Sequence, residues 1–314
     1  MDGLRASVVI TTKNRKDDLR RAIASCLRQS ARPEVLVIDD GSTDGTSDMV
    51  RREFPSVQLH REDVSRGYIV QRNRGAVLAS GDIIFSIDDD AEFISDNTVA
   101  QTLEEFVDPT IAAVAIPFVN VNYSDAVLQR ASKRDVVAVT SAFIGTAYAL
   151  RREIFQQFGG FREFLFHQGE EEDLCIRMLD GGFFTRLGNA DPIHHYESPK
   201  RDRRRMDVYG ARNKVLFCWY NIPSLYLLPN MLIVTLNRLR FGLRMGHPIR
   251  AAHGLLKGFA GCVHQISQRR PISKETFRLF RQLRRRREIP LENVQYLGGE
   301  HGAKRLEVGS FAGF

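Results

Sequence analysis

Apolar and polar positions along the first 116 residues follow two alternating rhythms. SVVITT (7–12), EVLVID (34–39), DIIFSID (82–88) and IAAVAIP (111–117) are short, nearly continuous apolar runs, the signature of buried strands, and VQLHRE (57–62) is a weaker one. Between them the apolar residues fall at helical spacing, as at 19, 22, 23, 26 and 27 within 17–29. Further helices are predicted over 44–54, 67–79 and 97–108, the last with Asn97 as N-cap. Strands and helices alternating at this length predict an α/β fold, a mostly parallel sheet flanked by helices.

After Pro117 the rhythm breaks. Residues 118–150 read as mixed strands and loops, and Phe158-Gly159-Gly160-Phe161 as a turn. Glu170–Asp180 reads as a helix ended by Gly181-Gly182, and 192–205 as a polar loop. Helices follow over 207–221, 230–245, 250–268 and 273–287, with a break expected at Pro229-Asn230, and the Gly-rich tail after 290 is expected to be poorly ordered.

Charge divides the chain in two. The net charge of +7 conceals a basic back, with 23 Lys/Arg against 7 Asp/Glu over residues 200–314, and a net acidic front. An acidic front suits a cation, and a basic back suits phosphate, nucleic acid or an anionic membrane surface. Hydrophobic content of 43% and charged content of 26% are those of a globular chain. Cys26, Cys175, Cys218 and Cys262 form no CxxC pair, which points to a reducing, cytoplasmic setting. The N-terminus lacks a secretory pattern, and the stretch 222–236 is short for a membrane span.

Three acidic constellations carry candidate chemistry. In VLVIDDGSTDGT (35–46) a strand ends in Asp39 and Asp40. Carboxyl ends of parallel strands are where ligands sit, although Asp40 and Ser42 would also satisfy a local turn. In FSIDDDAEF (85–93) a strand ends in Asp88, Asp89 and Asp90. Alternation turns Asp88 and Asp90 to one side, a hard-oxygen pair for Mg2+ or Mn2+. In GEEEDLCIRML (169–179) four acids open a helix, which a solvated helix start would also explain. His194-His195 follows, ahead of Arg201, Arg203, Arg204 and Arg205. The chain has no GxxxxGK[ST], no GxGxxG after the first strand and no GxSxG, so P-loop, Rossmann dehydrogenase and hydrolase-elbow readings fall away.

In this order, SVVITTKNR, VIDDGSTDGT, SRGYIVQRNRGAVLASGDIIFSIDDDAEF and GEEEDLCIRMLDGGF resemble the family-2 glycosyltransferases of GT-A fold over roughly residues 6–215. The resemblance implies a catalytic domain over 1–215, with a nucleotide-binding half (1–116) and an acceptor half (117–215), followed by a basic helical extension over 216–314. It implies that Thr12, Asn14, Asp39, Arg72, Asp88 and Asp89 contact a nucleoside diphosphate sugar, Asp39 near the base. It places Mn2+ or Mg2+ at Asp88, Asp90 and His194, with His195 as near-equal contender, and lets the Arg-rich loop 201–205 close over the diphosphate. Where the family usually has an aromatic residue, this chain has Lys13.

The family pattern of two acids, any residue, Asp-Leu, two residues and Arg is anchored by Asp173-Leu174 and Arg177. That register makes Glu171 the general base, leaves Glu172 unconstrained and pairs Asp173 with Arg177 four residues on. The expected reaction is inverting, metal-dependent sugar transfer to a hydroxyl of a saccharide, lipid-linked saccharide or glycoconjugate. Segments 231–246 and 277–287 mix Leu, Ile and Phe with Arg and read as interfacial helices, or as a solvated or oligomer-forming face. No nucleic-acid partner is expected. Competing readings are a non-catalytic nucleotide-sugar-binding protein and a receiver-like signalling domain with a basic DNA-binding tail.

Overall fold

Four strands, β1 (Ala6–Thr12), β2 (Glu34–Asp39), β3 (Gln58–Arg61) and β4 (Ile83–Asp88), lie in the order β3-β2-β1-β4 with every pairing parallel. They come from a computed structural model of the chain that describes residues 3–197, 202–264, 266 and 269–295. Helices α1 (Lys16–Leu27), α2 (Thr46–Glu53) and α3 (Tyr68–Leu78) cross between them; α1 buries Leu19, Ala22, Ile23 and Cys26 as the spacing predicts but leaves Leu27 exposed, and α3 buries Gln71 and Arg72 beside Ile69 and Ala76. The chain leaves β1 in opposite directions along the sheet, and ligands bind beyond the strand ends at such a switch point. A receiver domain runs 2-1-3-4-5 instead, so that reading does not fit this topology.

Beyond β4 come β5 (Ala91–Phe93), α4 (Thr98–Glu104), β6 (Ile111–Ala115), β7 (Phe118–Asn120), β8 (Val127–Leu128), β9 (Ala138–Thr140), β10 (Ala147–Arg151) and α5 (Arg152–Gln157). Then follow α6 (Glu170–Asp180), β11 (Phe184–Leu187) and β12 (Ile193–His195). The large sheet closes in the order β13-β9-β11-β6-β10-β4-β1-β2-β3, where β13 is Ile289–Pro290. It is a mixed sheet, because β10 runs antiparallel between β4 and β6 and β9 is antiparallel to both its neighbours. A second sheet, β5-β12-β7-β8, carries the chain onward from the acidic end of β4.

The C-terminal part consists of α7 (Arg203–Asn221), α8 (Ser224–Arg244), α9 (Pro248–His264), α10 (Lys274–Arg286) and α11 (Leu291–Gln295). The expected boundary at 215/216 falls inside α7, one unbroken helix. The extension is also sewn to the sheet: Phe277, Phe280 and Leu283 of α10 are buried in the same core as β1 and β4. Asp180, the last residue of α6, accepts from Ser273 N at 2.9 Å and Thr276 Oγ1 at 2.8 Å at the start of α10. Helices α7 and α9 approach closely because Gly258 leaves room for Arg212 O and Val215 Cβ, which an added methyl would meet at 2.9 and 2.8 Å.

Two expectations are corrected. Residues 192–205 are not one loop: 193–195 form β12, and α7 begins at Arg203 with Asp202 as its N-cap, accepting from Arg205 N at 3.0 Å. Pro229 does not break its helix but lies inside α8, where it lacks the N–H that would bond one turn back. Arg201 and the tail from 296 lie outside the described residues.

Candidate active site

A cleft of about 680 Å3 opens at the carboxyl ends of β1 and β4. Thr12, Asp88, Asp89 and Asp90 line one wall, the Ile144–Thr146 turn and Glu171 another, and Asp202, Arg205 and Met206 of the α7 start a third. Among the residues expected from sequence, the cleft thus gathers Thr12, Arg72, Asp88, Asp89, Asp90 and Glu171, together with Lys13.

The acids after β4 divide the work. Asp89 is buried, accepts from Thr12 Oγ1 at 2.8 Å and lies 3.3 Å from Arg15 Nη1. Burial pushes its pKa up to about 7, with Arg15 opposing and Asp90 adding to the rise. For Asp90 burial acts in the same direction, but His195 and the paired Arg15 guanidinium outweigh it and hold the carboxyl well below its usual range. Arg15 had no signal of its own in the sequence beyond its place in the turn after β1.

Opposite them, Arg72 is 7% exposed and gathers acids from both walls. Its Nη2 donates to Asp88 Oδ1 and to Gly145 O, both at 2.8 Å. Its Nη1 lies 3.3 Å from Glu170 Oε1 and 3.9 Å from Glu171 Oε1. Tyr68 supports it from below, with the guanidinium 4.9 Å from the ring centre. Burial raises the pKa of both Glu170 and Glu171, the Glu171 charge adds to the rise at Glu170, and Arg72 opposes it at both.

The four acids that open α6 have four environments. Glu170 is fully buried against Arg72. Glu171 sits half-buried at the cleft wall. Glu172 faces the other way and pairs with Lys214 and, at 3.5 Å, with Arg284. Asp173 bonds Arg177 Nε at 3.0 Å as the spacing predicts, and also Arg162 Nη1 at 2.6 Å and Asn221 Nδ2 at 2.8 Å.

The structure corrects the choice of histidine. His195, not His194, lies with Asp88 and Asp90. In β12 alternate side chains face opposite sides, and His194 stands over Glu92 on the β5 partner while His195 turns inward. His195 Nε2 is buried 3.2 Å from Asp90 Oδ1 and 3.8 Å from Asp88 Oδ2, with no aligned hydrogen bond to either. One ligand atom from each of the three residues lies within 4.8 Å of the others. An orphaned nitrogen aimed between two carboxylates is a donor set that a divalent cation fits, and such an ion would relieve the crowded charge.

Two expected contacts are not brought to the cleft. Asp39 is fully buried, accepting from Ser42 N at 2.8 Å and from the Ser47 hydroxyl. Its neighbour Asp40 lines the cleft and fixes the 65–71 segment, accepting from Arg66 N at 2.8 Å, Gly67 N at 3.0 Å and Gln71 Nε2 at 2.6 Å. Asn14 has φ +55° and ties two turns together, accepting from Thr43 N at 2.7 Å while its N–H donates to Ser42 Oγ at 2.9 Å. Of the Arg-rich loop, Arg205 reaches the cleft and lies 4.6 Å over the Phe166 ring.

Comparison with known proteins gives a consistent likeness. Residues 7–167 match the family described as glycosyl transferase family 2. The chain is 28% identical over 225 residues to a pre-mycofactocin glycosyltransferase of Mycobacterium tuberculosis, covering 65% of this chain and 46% of that one. It is 26% identical over 197 residues to the succinoglycan biosynthesis protein ExoU of Rhizobium meliloti, covering 56% and 57%. It therefore spans about half the length of these curated relatives. Among solved structures, the mannosyltransferase PcManGT from Pyrobaculum calidifontis, in complex with GDP-Man and Mn2+, aligns with TM-score 0.57 at 22% identity, over 90% of this chain and 84% of that one. GalNAc-T7 with UDP, GalNAc and Mn2+ aligns with TM-score 0.54 at 20% identity, over 67% and 50%. These two likenesses are of fold.

Proposed function

The chain belongs to glycosyl transferase family 2, and from that premise we propose that it moves a sugar from a nucleoside diphosphate sugar to an acceptor hydroxyl with inversion at the anomeric carbon. The observation that carries this reading is the pairing across one cleft of the Asp88–Asp90–His195 set with the Glu171 carboxylate, bridged by Arg72. Two neighbours of the same fold hold Mn2+ together with GDP-Man, or with UDP and GalNAc, which supports Mn2+ or Mg2+ as the ion here.

Asp88, Asp90 and His195 would hold the divalent ion, which when bound supplies Lewis-acid stabilisation to a leaving diphosphate. Arg205 and Lys13, at the cleft edge, add cations for the phosphates. Thr12 and Arg15 keep Asp89 in place behind the ligand pair. Glu171 accepts the proton of the acceptor hydroxyl, and its raised pKa makes it a stronger base than an ordinary glutamate. Arg72 keeps Glu171 ionisable despite burial and fixes Asp88 at the same time. A single base on the face of the sugar away from the diphosphate implies one in-line displacement, and hence inversion.

The test is turnover of nucleotide sugars, screened by nucleotide and sugar, with and without Mn2+ or Mg2+, followed by NMR of the product anomer. Metal-dependent release of nucleoside diphosphate with an inverted linkage is expected. Metal-independent turnover or a retained anomer would overturn the mechanism, and tight donor binding without turnover would favour the non-catalytic binding reading.

A further inference from the structure

We propose that the α8–α9 hairpin is a docking surface for an anionic lipid bilayer. Of the 25 large apolar side chains exposed among the described residues, 13 fall between Leu225 and Ile266. On α8, Leu225, Leu228, Leu232 and Leu236 recur at three- and four-residue spacing and so share a side; Leu228 is 76% and Leu232 62% exposed. On α9, Ile249, Leu256 and Val263 recur every seven residues, with Ile249 82% exposed. Each row lies opposite the side its helix packs. Helix α8 turns Leu227, Met231 and Val234 to the core, and α9 turns Leu255 and Cys262.

The charges beside these rows select the occupant. Between Asp207 and Glu275 the chain has ten Lys and Arg and no Asp or Glu. Arg240, Arg244 and Lys257 are exposed on the hairpin itself. Apolar rows flanked only by cations match the acyl boundary and headgroups of an anionic leaflet. A two-fold contact with a second copy would set this acid-free face against itself, placing like charges together. No helix among the described residues is long and apolar enough to cross a membrane, so the hairpin would lie on the surface.

The hairpin is also tied to the cleft. Helices α7 and α9 run parallel, with Gly254 against Ala211 and Gly258 against Val215, and Arg250 pairs with Asp207 at 3.4 Å. The α8–α9 turn therefore lies at the end where α7 begins, the end that lends Arg205 to the cleft wall. Such a surface suits an acceptor hydroxyl carried on a lipid. That substrate class rests on the transferase reading; the docking does not.

The test is co-sedimentation of the full chain with phosphatidylcholine vesicles, with and without phosphatidylglycerol. Binding to the anionic vesicles that weakens with salt is expected. Arg240→Ala with Arg244→Ala should lower partitioning roughly 30-fold, and Leu228→Ser with Leu232→Ser should lower it without loss of the helical circular-dichroism signal. The proposal is overturned if the wild-type chain stays in solution beside anionic vesicles at low salt, or if neither variant changes partitioning. It is equally overturned if light scattering shows a dimer that the leucine variant dissolves. Donor turnover in vesicle-free buffer, unchanged in both variants, keeps this outcome separate from that of the catalytic reading.

Discussion

Gly145 has no functional group, yet its replacement by alanine tests the placement of the base. The residue sits in the turn before β10, and its carbonyl accepts from Arg72 Nη2 at 2.8 Å. A methyl added there would overlap Glu171 Oε1, come to 3.3 Å from Glu171 Cδ and reach 2.9 Å from Arg72 Nη1. No backbone barrier opposes the substitution, since Gly145 is not among the glycines with positive φ. The obstacle is the end of a flexible side chain, so the carboxylate swings into the cleft by on the order of 1 Å while the fold persists. A misplacement of that size costs about 100-fold in rate, whereas the overpacking costs about 1–3 kcal/mol of stability at most. The assay pairs kcat with saturating donor and acceptor against donor affinity by calorimetry and thermal unfolding. Loss of kcat with near-normal donor binding is expected, and Gly145→Ala should add little to Glu171→Gln because both act on one group. Wild-type kcat in a folded Gly145→Ala protein would refute the assignment of Glu171 to the reacting centre.

Further outcomes follow from the same geometry. His195→Ala should weaken Mn2+ binding, read by calorimetry or electron paramagnetic resonance, by at least the roughly 10–100-fold that loss of a supporting partner costs, while His194→Ala leaves it unchanged. The acidic limb of the kcat/KM pH profile should lie above the ordinary glutamate value of 4.5, because Glu171 must be ionised to act and burial raises its pKa; activity climbs with pH through that raised value, and a limb at or below 4.5 would contradict it. Asp173→Ala strips the shared acceptor from Arg162, Arg177 and Asn221 and should cost about 3–5 kcal/mol in denaturant unfolding, the price of leaving buried cations unpaired.

The elements with a strong period were legible. The strand over 34–39 and the helix over Glu170–Asp180 have the bounds that spacing and the flanking glycines predict. The local motif Asp173–Arg177 was legible for the same reason, since both partners lie on one helix and spacing fixes their contact. What depended on parity in very short strands was not. With three residues in β12, nothing local says whether His194 or His195 turns inward; the register against β5 decides it. Asp39 and Asp40 posed the same problem, resolved only when donors from 65–71 converge on Asp40. Arg15 and Gly145 matter through partners 74 to 75 and 26 residues away in sequence, Asp89, Asp90 and Glu171 respectively. Such contacts belong to the assembled sheet and leave no periodic trace.

The central claim is that one carboxylate of the GEEED run, Glu171, takes the proton while its neighbour Glu172 serves Lys214 and Arg284 on the outer side. It is tested most directly by single-turnover transfer with Glu171→Gln and Glu172→Gln under identical donor, acceptor and Mn2+. Glu171→Gln is predicted to bind donor normally and to lose roughly 100- to 10,000-fold in the chemical step, with Glu172→Gln close to wild type. Comparable turnover by Glu171→Gln, or a loss confined to Glu172→Gln, would contradict it.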